Sequence, residues 1–260
     1  MQCKEVTKLI ETVYPQSAAL SFDNVGLLVG RSEKKVKCIY LALDATEEVI
    51  CDAIEKKADL LITHHPLIFT PLKAVTDQDF VSRRILQLVQ NDISYYAMHT
   101  NYDVLGMAAL AEKKFELTNA EILDETVEIN GKVEGIGRIG DRKEIITLQE
   151  CCEVVKQCLN LSNVKVFGDL NRKVKRMAIS PGSGKSAVKP ALEKKADVLV
   201  TGDIGHHDGL DAMEQGLCVI DAGHYGTEYM FIEDMKLFLQ KYCPDICIEV
   251  AEIKFPFQVI

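Results

Sequence analysis

The sequence predicts an α/β (α+β) fold made of two similar, internally duplicated α/β units, and three observations carry that prediction. Apolar runs of strand character alternate with segments of helical periodicity along the chain. One phrase is written twice, EKKADLLITHH from Glu55 to His65 and EKKADVLVTGDIGHH from Glu193 to His207. At an offset of 138 residues, the windows Lys35 to Thr63 and Lys173 to Thr201 agree at eleven of 29 positions without a gap. The matches include Lys35, Lys37, Lys56, Lys57 and Asp59, charged residues that shared hydrophobic patterning does not explain. Two copies are too few for a stacked array, so the repeat is one supersecondary unit used twice.

Taken in order, apolar positions recur at helical spacing from Val6 to Val13, and SFDNVGLLVG then supplies a turn and a short strand. KVKCIYLALD reads as a buried strand. Asp44 with Glu47 three residues on reads as a capping-box helix start, with the helix running to about Lys57. The strand ADLLITHH ends on histidines. A loop, a helix near Phe80 to Gln90, the strand ISYYAMHT and the helix LGMAALAEKKF complete the first unit, residues 1–126. ETVEINGKVEGIGRIGD alternates around Asn130-Gly131, a strong hairpin signal, and is expected to connect the units over 127–144. The second unit, 145–260, opens on a helix with a Thr147/Glu150 capping box, continues with VKVFGD and KVKRMAIS as strands, and its C-terminal segment is expected to pack back on the first.

The second half of the repeat aligns at a shorter offset of 125, which lays ISYYAMHTNYD on CVIDAGHYGTE and sets His99 on His224 and Asp103 on Glu228. All six histidines (His64, His65, His99, His206, His207, His224) fall at or just after the C-terminal ends of expected strands, where open α/β sheets bind ligands. Imidazole with carboxylate at fixed spacing is a donor set for divalent metals. Adjacent strand residues point to opposite faces, so His64 and His65 either serve different ions or sit where the strand has already turned. The positions matching them are Gly202 and Asp203, which makes any shared site asymmetric.

Other features carry less. SPGSGKSAV lacks the first glycine of a Walker A loop, since that position is Ile179; it reads as a strand-to-helix turn capped by Ser183 or Ser186, with room for an anion at the helix start. Nine cysteines, an odd number, lie mostly inside apolar segments, the pattern of reduced core thiols. Cys243 and Cys247 have a ligand-like spacing but no second pair beside them. A formal charge of −9 argues against nucleic-acid capture, and no stretch reaches the roughly 20 apolar residues of a membrane span. A cytoplasmic protein is expected.

With these residues in view, the chain resembles the GTP cyclohydrolase 1 type 2 (Nif-three-like) family over nearly its whole length: DNVGLLVG, ADLLITHHPLIF, AMHTNYD, SPGSGKS, ADVLVTGDIGHHDGLDA and DAGHYGTE. The resemblance implies two similar α/β domains with a dinuclear metal site in the cleft between them, and a toroidal homohexamer. It places the metal ligands on His64, His65, Asp103, His224 and Glu228, holding two divalent ions (Zn, Mn or Fe), and sets His99 and His207 around the ligands or on the substrate side, a position from which one or the other could carry a proton. DVLGMAALAEKK is shorter than the Pro-Gly-rich form usual in the family, which bears on the rim of the site. The implied activity is a metal-dependent hydrolase, with GTP or another nucleotide as substrate and formate released from the guanine imidazole ring. The alternative is a metal-binding regulatory or scaffold protein without turnover.

Overall fold

The computed structural model describes residues 1–259 and divides into two compact units. The first begins with α1 (Cys3–Val13), which buries Cys3, Val6, Thr7 and Ile10 at the i, i+3, i+4, i+7 spacing of an amphipathic helix. β1 (Gly26–Val29), β2 (Cys38–Ala42), α2 (Glu47–Glu55), β3 (Leu60–Thr63), α3 (Phe80–Gln90), β4 (Ser94–Ala97) and the single turn α4 (Thr100–Tyr102) follow. The chain enters the second unit with a π-helical turn, Asp103–Met107, and α5 (Ala108–Lys114). Then come β5 (Thr118–Ile129), β6 (Lys132–Thr147), α6 (Leu148–Cys158), β7 (Lys165–Phe167), β8 (Lys173–Ser183), α7 (Val188–Glu193), β9 (Val198–Gly202), α8 (His206–Glu214), β10 (Cys218–Asp221) and α9 (His224–Glu228). α10 (Met230–Tyr242) and β11 (Cys247–Val250) belong again to the first unit.

These limits differ from the expected ones. The first unit comprises Met1–Tyr102 and Tyr229–Lys254, and the second runs from Asp103 to Glu228 with the tail from Phe255. The hairpin expected to connect the units is part of the second: Asn130 (φ 53°) and Gly131 (φ 77°) make its tight turn, and β6 pairs with β8. The C-terminal segment joins the first unit because β11 lies parallel to β2, Cys247 beside Cys38 and Val250 beside Leu41. Position 260, the last of the expected second unit, lies outside the described residues.

Within each unit the sheet is mixed. The first has the order β1-β4-β3-β2-β11, with β2, β3 and β4 parallel and β1 antiparallel on the β4 edge. The second has the order β5-β6-β8-β9-β10-β7, with β8, β9 and β10 parallel and β7 antiparallel on β10. The four strands β7 to β10 therefore repeat the order and directions of β1 to β4, and the units differ at the opposite edge. This is the arrangement that an internal duplication would leave. Each sheet has its own apolar core: Tyr40, Ile50, Leu61, Leu88 and Tyr95 in the first, Leu123, Ile139, Leu199, Leu217 and Val219 in the second.

The repeated phrase EKKAD has a physical reason. Lys57 and Lys195 terminate α2 and α7 in the left-handed region (φ 55° and 58°), and the next amides, Ala58 and Ala196, reach back to the carbonyls of Ala53 and Ala191. This is the Schellman ending of a helix. Asp59 then accepts from the amides of Lys37 and Cys38 at the start of β2, and Asp197 accepts from Lys175 and Arg176 at the start of β8. The phrase ends a helix, begins a strand and ties that strand to its neighbour, once in each unit.

Two expected caps are corrected. Thr46, not Asp44, caps α2, its hydroxyl accepting from the Val49 amide; Asp44 is engaged by His65. Neither Ser183 nor Ser186 caps a helix: Ser183 closes β8, and neither the short 3₁₀ turn Lys185–Ala187 nor α7 has a side-chain cap. The Thr147/Glu150 capping box of α6 is present. No helix among the described residues is long and apolar enough to cross a membrane.

Candidate metal centre

In the first unit, three histidines meet at the C-terminal ends of β3 and β4. β3 ends at Thr63, whose hydroxyl donates to the carbonyl of His65 at 2.7 Å and fixes a turn. The strand has therefore ended before His64 and His65, and their rings lie 5.0 Å apart rather than on opposite faces. His64 is fully buried, and its Nδ1 donates to the Met98 carbonyl at 2.8 Å. His65 Nδ1 donates to Asp44 Oδ1 at 2.7 Å, and His99, just past β4, donates from Nδ1 to Asp23 Oδ1 at 2.9 Å. Each of the three rings thus spends Nδ1–H on an oxygen, which leaves its lone pair on Nε2. Anchoring of this kind, by carboxylate or carbonyl, orients metal-binding histidines. One ligand atom from each of His64, His65 and His99 lies within 4.8 Å of the others.

Asp23 is held just as firmly. Its Oδ2 accepts from the amide and hydroxyl of Thr100 at 2.9 and 2.5 Å, and its side chain is wholly buried. Burial alone would raise the Asp23 pKa, but the hydrogen bonds from His99 and Thr100 outweigh it and hold the carboxyl at about 2.

In the second unit, α9 carries His224 and Glu228 four residues apart, on one helical face. His224 Nε2 lies 3.1 Å from Glu228 Oε2, and its Nδ1 donates to Asp203 Oδ2 at 2.8 Å. Hydrogen bonding to Glu228, opposed by burial and aided by Asp203, raises the His224 pKa to about 9. Glu228 is itself buried. Glycines make the room: a Cβ at position 182 (φ +75°) would lie 2.3 Å from Glu228 Oε1, and one at position 202 would lie 2.5 Å from the His224 amide nitrogen.

The remaining expected residues are placed as follows. Asp103 opens the π-helical turn and is half-buried. His206 and His207 begin α8, both exposed, with rings 5.2 Å apart; neither belongs to a cluster of metal-ligand spacing among the described residues. Cys243 is buried and Cys247 exposed, and no cysteine joins such a cluster among the described residues. Sequence reasoning missed Asp23, Asp44 and Asp203, which orient His99, His65 and His224. Asp44 and Asp203 follow β2 and β9 within two residues, a signal available beforehand; Asp23 sits in a turn far from any histidine in sequence.

Two mixed-sheet α/β units with histidine and carboxylate groups at the strand ends define a class of protein with residues that could hold a metal ion. The profile of the DUF34/NIF3 family (NGG1p interacting factor 3) matches residues 1–256, and the chain belongs to that family. It is 35% identical to the GTP cyclohydrolase 1 type 2 homolog of Clostridium perfringens, with 100% of both chains covered. Among solved structures it is similar to a Bacillus cereus protein related to NIF3 (TM-score 0.91, 26% identity, 100% of this chain and 99% of that one). It is also similar to reduced HcgD from Methanocaldococcus jannaschii (TM-score 0.83, 33% identity, 97% of this chain and 98% of that one).

Proposed function

We propose that the chain is a dinuclear-metal-dependent hydrolase of the GTP cyclohydrolase 1 type 2 kind, with His64, His65, Asp103, His224 and Glu228 as ligands to two divalent ions. The observation that supports this most is the anchoring of imidazoles: His64, His65 and His224 each have Nδ1 tied to an oxygen, as ligand histidines do. The donor set, imidazole and carboxylate without thiolate, suits Zn, Mn or Fe. When bound, such a pair of ions supplies Lewis acidity and water made acidic enough to attack at neutral pH.

The protein residues then have defined tasks. Asp44, Asp203 and the Met98 carbonyl fix the tautomer and direction of the ligand rings. His99, whose Nδ1–H is given to Asp23, keeps a lone pair on Nε2 and serves as the proton carrier; exposed His207 has no such anchor among the described residues and is the weaker candidate for that role. The substrate is GTP: water adds at C8 of guanine, two C–N bonds at that carbon are hydrolysed with consumption of two waters, and formate leaves. A homohexameric assembly in the cytoplasm belongs to the same proposal.

The test is purified protein loaded in turn with Zn, Mn and Fe and given GTP, with formate measured. Formate with at least one metal is expected. Its absence with all three contradicts the substrate assignment, and metal binding without turnover of any nucleotide supports the scaffold alternative. His99→Gln is expected to keep the metal while hydrolysis falls about 100-fold; loss of metal in that variant would make His99 a ligand instead.

A further inference from the structure

Beside His224, the second unit contains a cavity of about 720 Å³, lined by residues of four stretches of chain. They are Asn160 to Lys165, Asp203, Asp221 to Gly223, and Phe255, Phe257, Gln258 and Val259 of the tail. Its volume falls within the range of small-molecule sites. The tail is seated by Phe255, whose ring packs 5.2 Å from Tyr225 of α9. Leu161 and Phe255 both approach Gly226, where a Cβ would lie 3.1 and 3.7 Å from their side chains.

The chemistry of the walls is selective. Phe257 is 55% exposed and adds an aromatic side chain to the lining. Asn160, Ser162, Asn163 and Gln258 offer uncharged donors and acceptors. The cation among the described lining residues, Lys165, is engaged by Asp221 at 2.7 Å and donates to the Ile204 carbonyl at 2.8 Å, so it does not present an unneutralised charge to a phosphate. Asp203 adds negative charge. A lining that combines aromatic and amide groups suits a flat, uncharged heterocycle with hydrogen-bonding edges, and disfavours a polyanion.

We propose that this cavity binds the purine base of the nucleotide substrate, with Phe257 against its face and Asn163 and Gln258 at its edge. Asp203 both lines the cavity and accepts from His224 Nδ1, so a base seated here lies next to the ring that carries the proposed metal ligand. This rests on the hydrolase reading above and assigns the residues that would recognise the substrate.

The test uses guanosine, which carries the base without phosphates, titrated calorimetrically into the full-length metal-loaded protein. Saturable binding is expected, weakened about tenfold by Phe257→Ala, the scale of one base–aromatic contact, and weakened also by Asn163→Ala. Both side chains are exposed, so the fold does not depend on them, and metal content is expected to match the unaltered protein. Absence of saturable guanosine binding, or unchanged affinity in both variants, overturns the proposal. Formate release separates the two claims: guanosine binding that responds to Phe257→Ala without formate from GTP upholds the pocket and contradicts the reaction, whereas formate with unchanged KM in both variants upholds the reaction and contradicts the pocket.

Discussion

The ends of β3 and β9 follow the same helix, the same Schellman turn and the same aspartate cap, and then part. At matching positions the first unit has His64 and His65 and the second has Gly202 and Asp203. The reason is steric at position 202, where a Cβ would meet the His224 amide at 2.5 Å and the Gly182 carbonyl at 2.8 Å. Gly182 itself matches Asp44, which orients His65 in the first unit, whereas in the second the missing side chain admits Glu228. The comparison teaches that residues which end helices and start strands are shared, while those at the strand tips are complementary: where one unit holds a histidine, the other clears space for donors from α9.

The comparison breaks first at Gly182. Gly182→Ala forces a side chain into a positive-φ position and onto Glu228, so it is expected to displace that carboxylate, lower metal affinity at least about tenfold and destabilise the fold by about 1–2 kcal/mol. Metal titration and thermal melting would show this, and wild-type metal affinity would refute the crowding. Acid stability should respond next. The Asp23 pKa of about 2 lies below its ordinary value, so its contribution, on the order of 2 kcal/mol, is fully present above about pH 4 and disappears as pH falls through 2. Denaturation of the metal-free protein across this window should show the loss, and Asp23→Asn should abolish that part of the pH dependence.

Smaller effects test the shared scaffold. Asp59→Ala and Asp197→Ala each remove two backbone hydrogen bonds and should cost about 1–3 kcal/mol apiece, by similar amounts. A large cost in one unit and none in the other, in urea melts, would deny their equivalence. Smallest of all, Lys57→Gly and Lys195→Gly relieve left-handed backbone at both helix ends and are expected to stabilise by about 1 kcal/mol or less.

Much of this was legible in the sequence because it is local. Helical spacing located α1 and α3, Asn130-Gly131 located the β5–β6 turn, and the strand-end histidines followed from the repeat. What could not be read was set by partners distant in sequence. Asp44 looks like a helix cap until His65 claims it, and Asp23 reaches His99 across 76 residues. The strand alignment was also off by one: Ser94 and Cys218 hold matching registers opposite Leu60 and Val198, an offset of 124. The extra residue between β10 and His224, accommodated by Gly223 at φ +75°, restores the correspondence of His99 and His224. Likewise β11 carries no local mark of its long-range pairing with β2.

The proposal that His64, His65, Asp103, His224 and Glu228 hold two ions is tested most directly by counting bound metal per chain in the unaltered protein, in His65→Ala and in Glu228→Gln. It predicts about two ions in the first and fewer in each variant, because each variant loses a proposed ligand. If both variants instead kept the full two ions, the ligand roles of His65 and Glu228 would be contradicted.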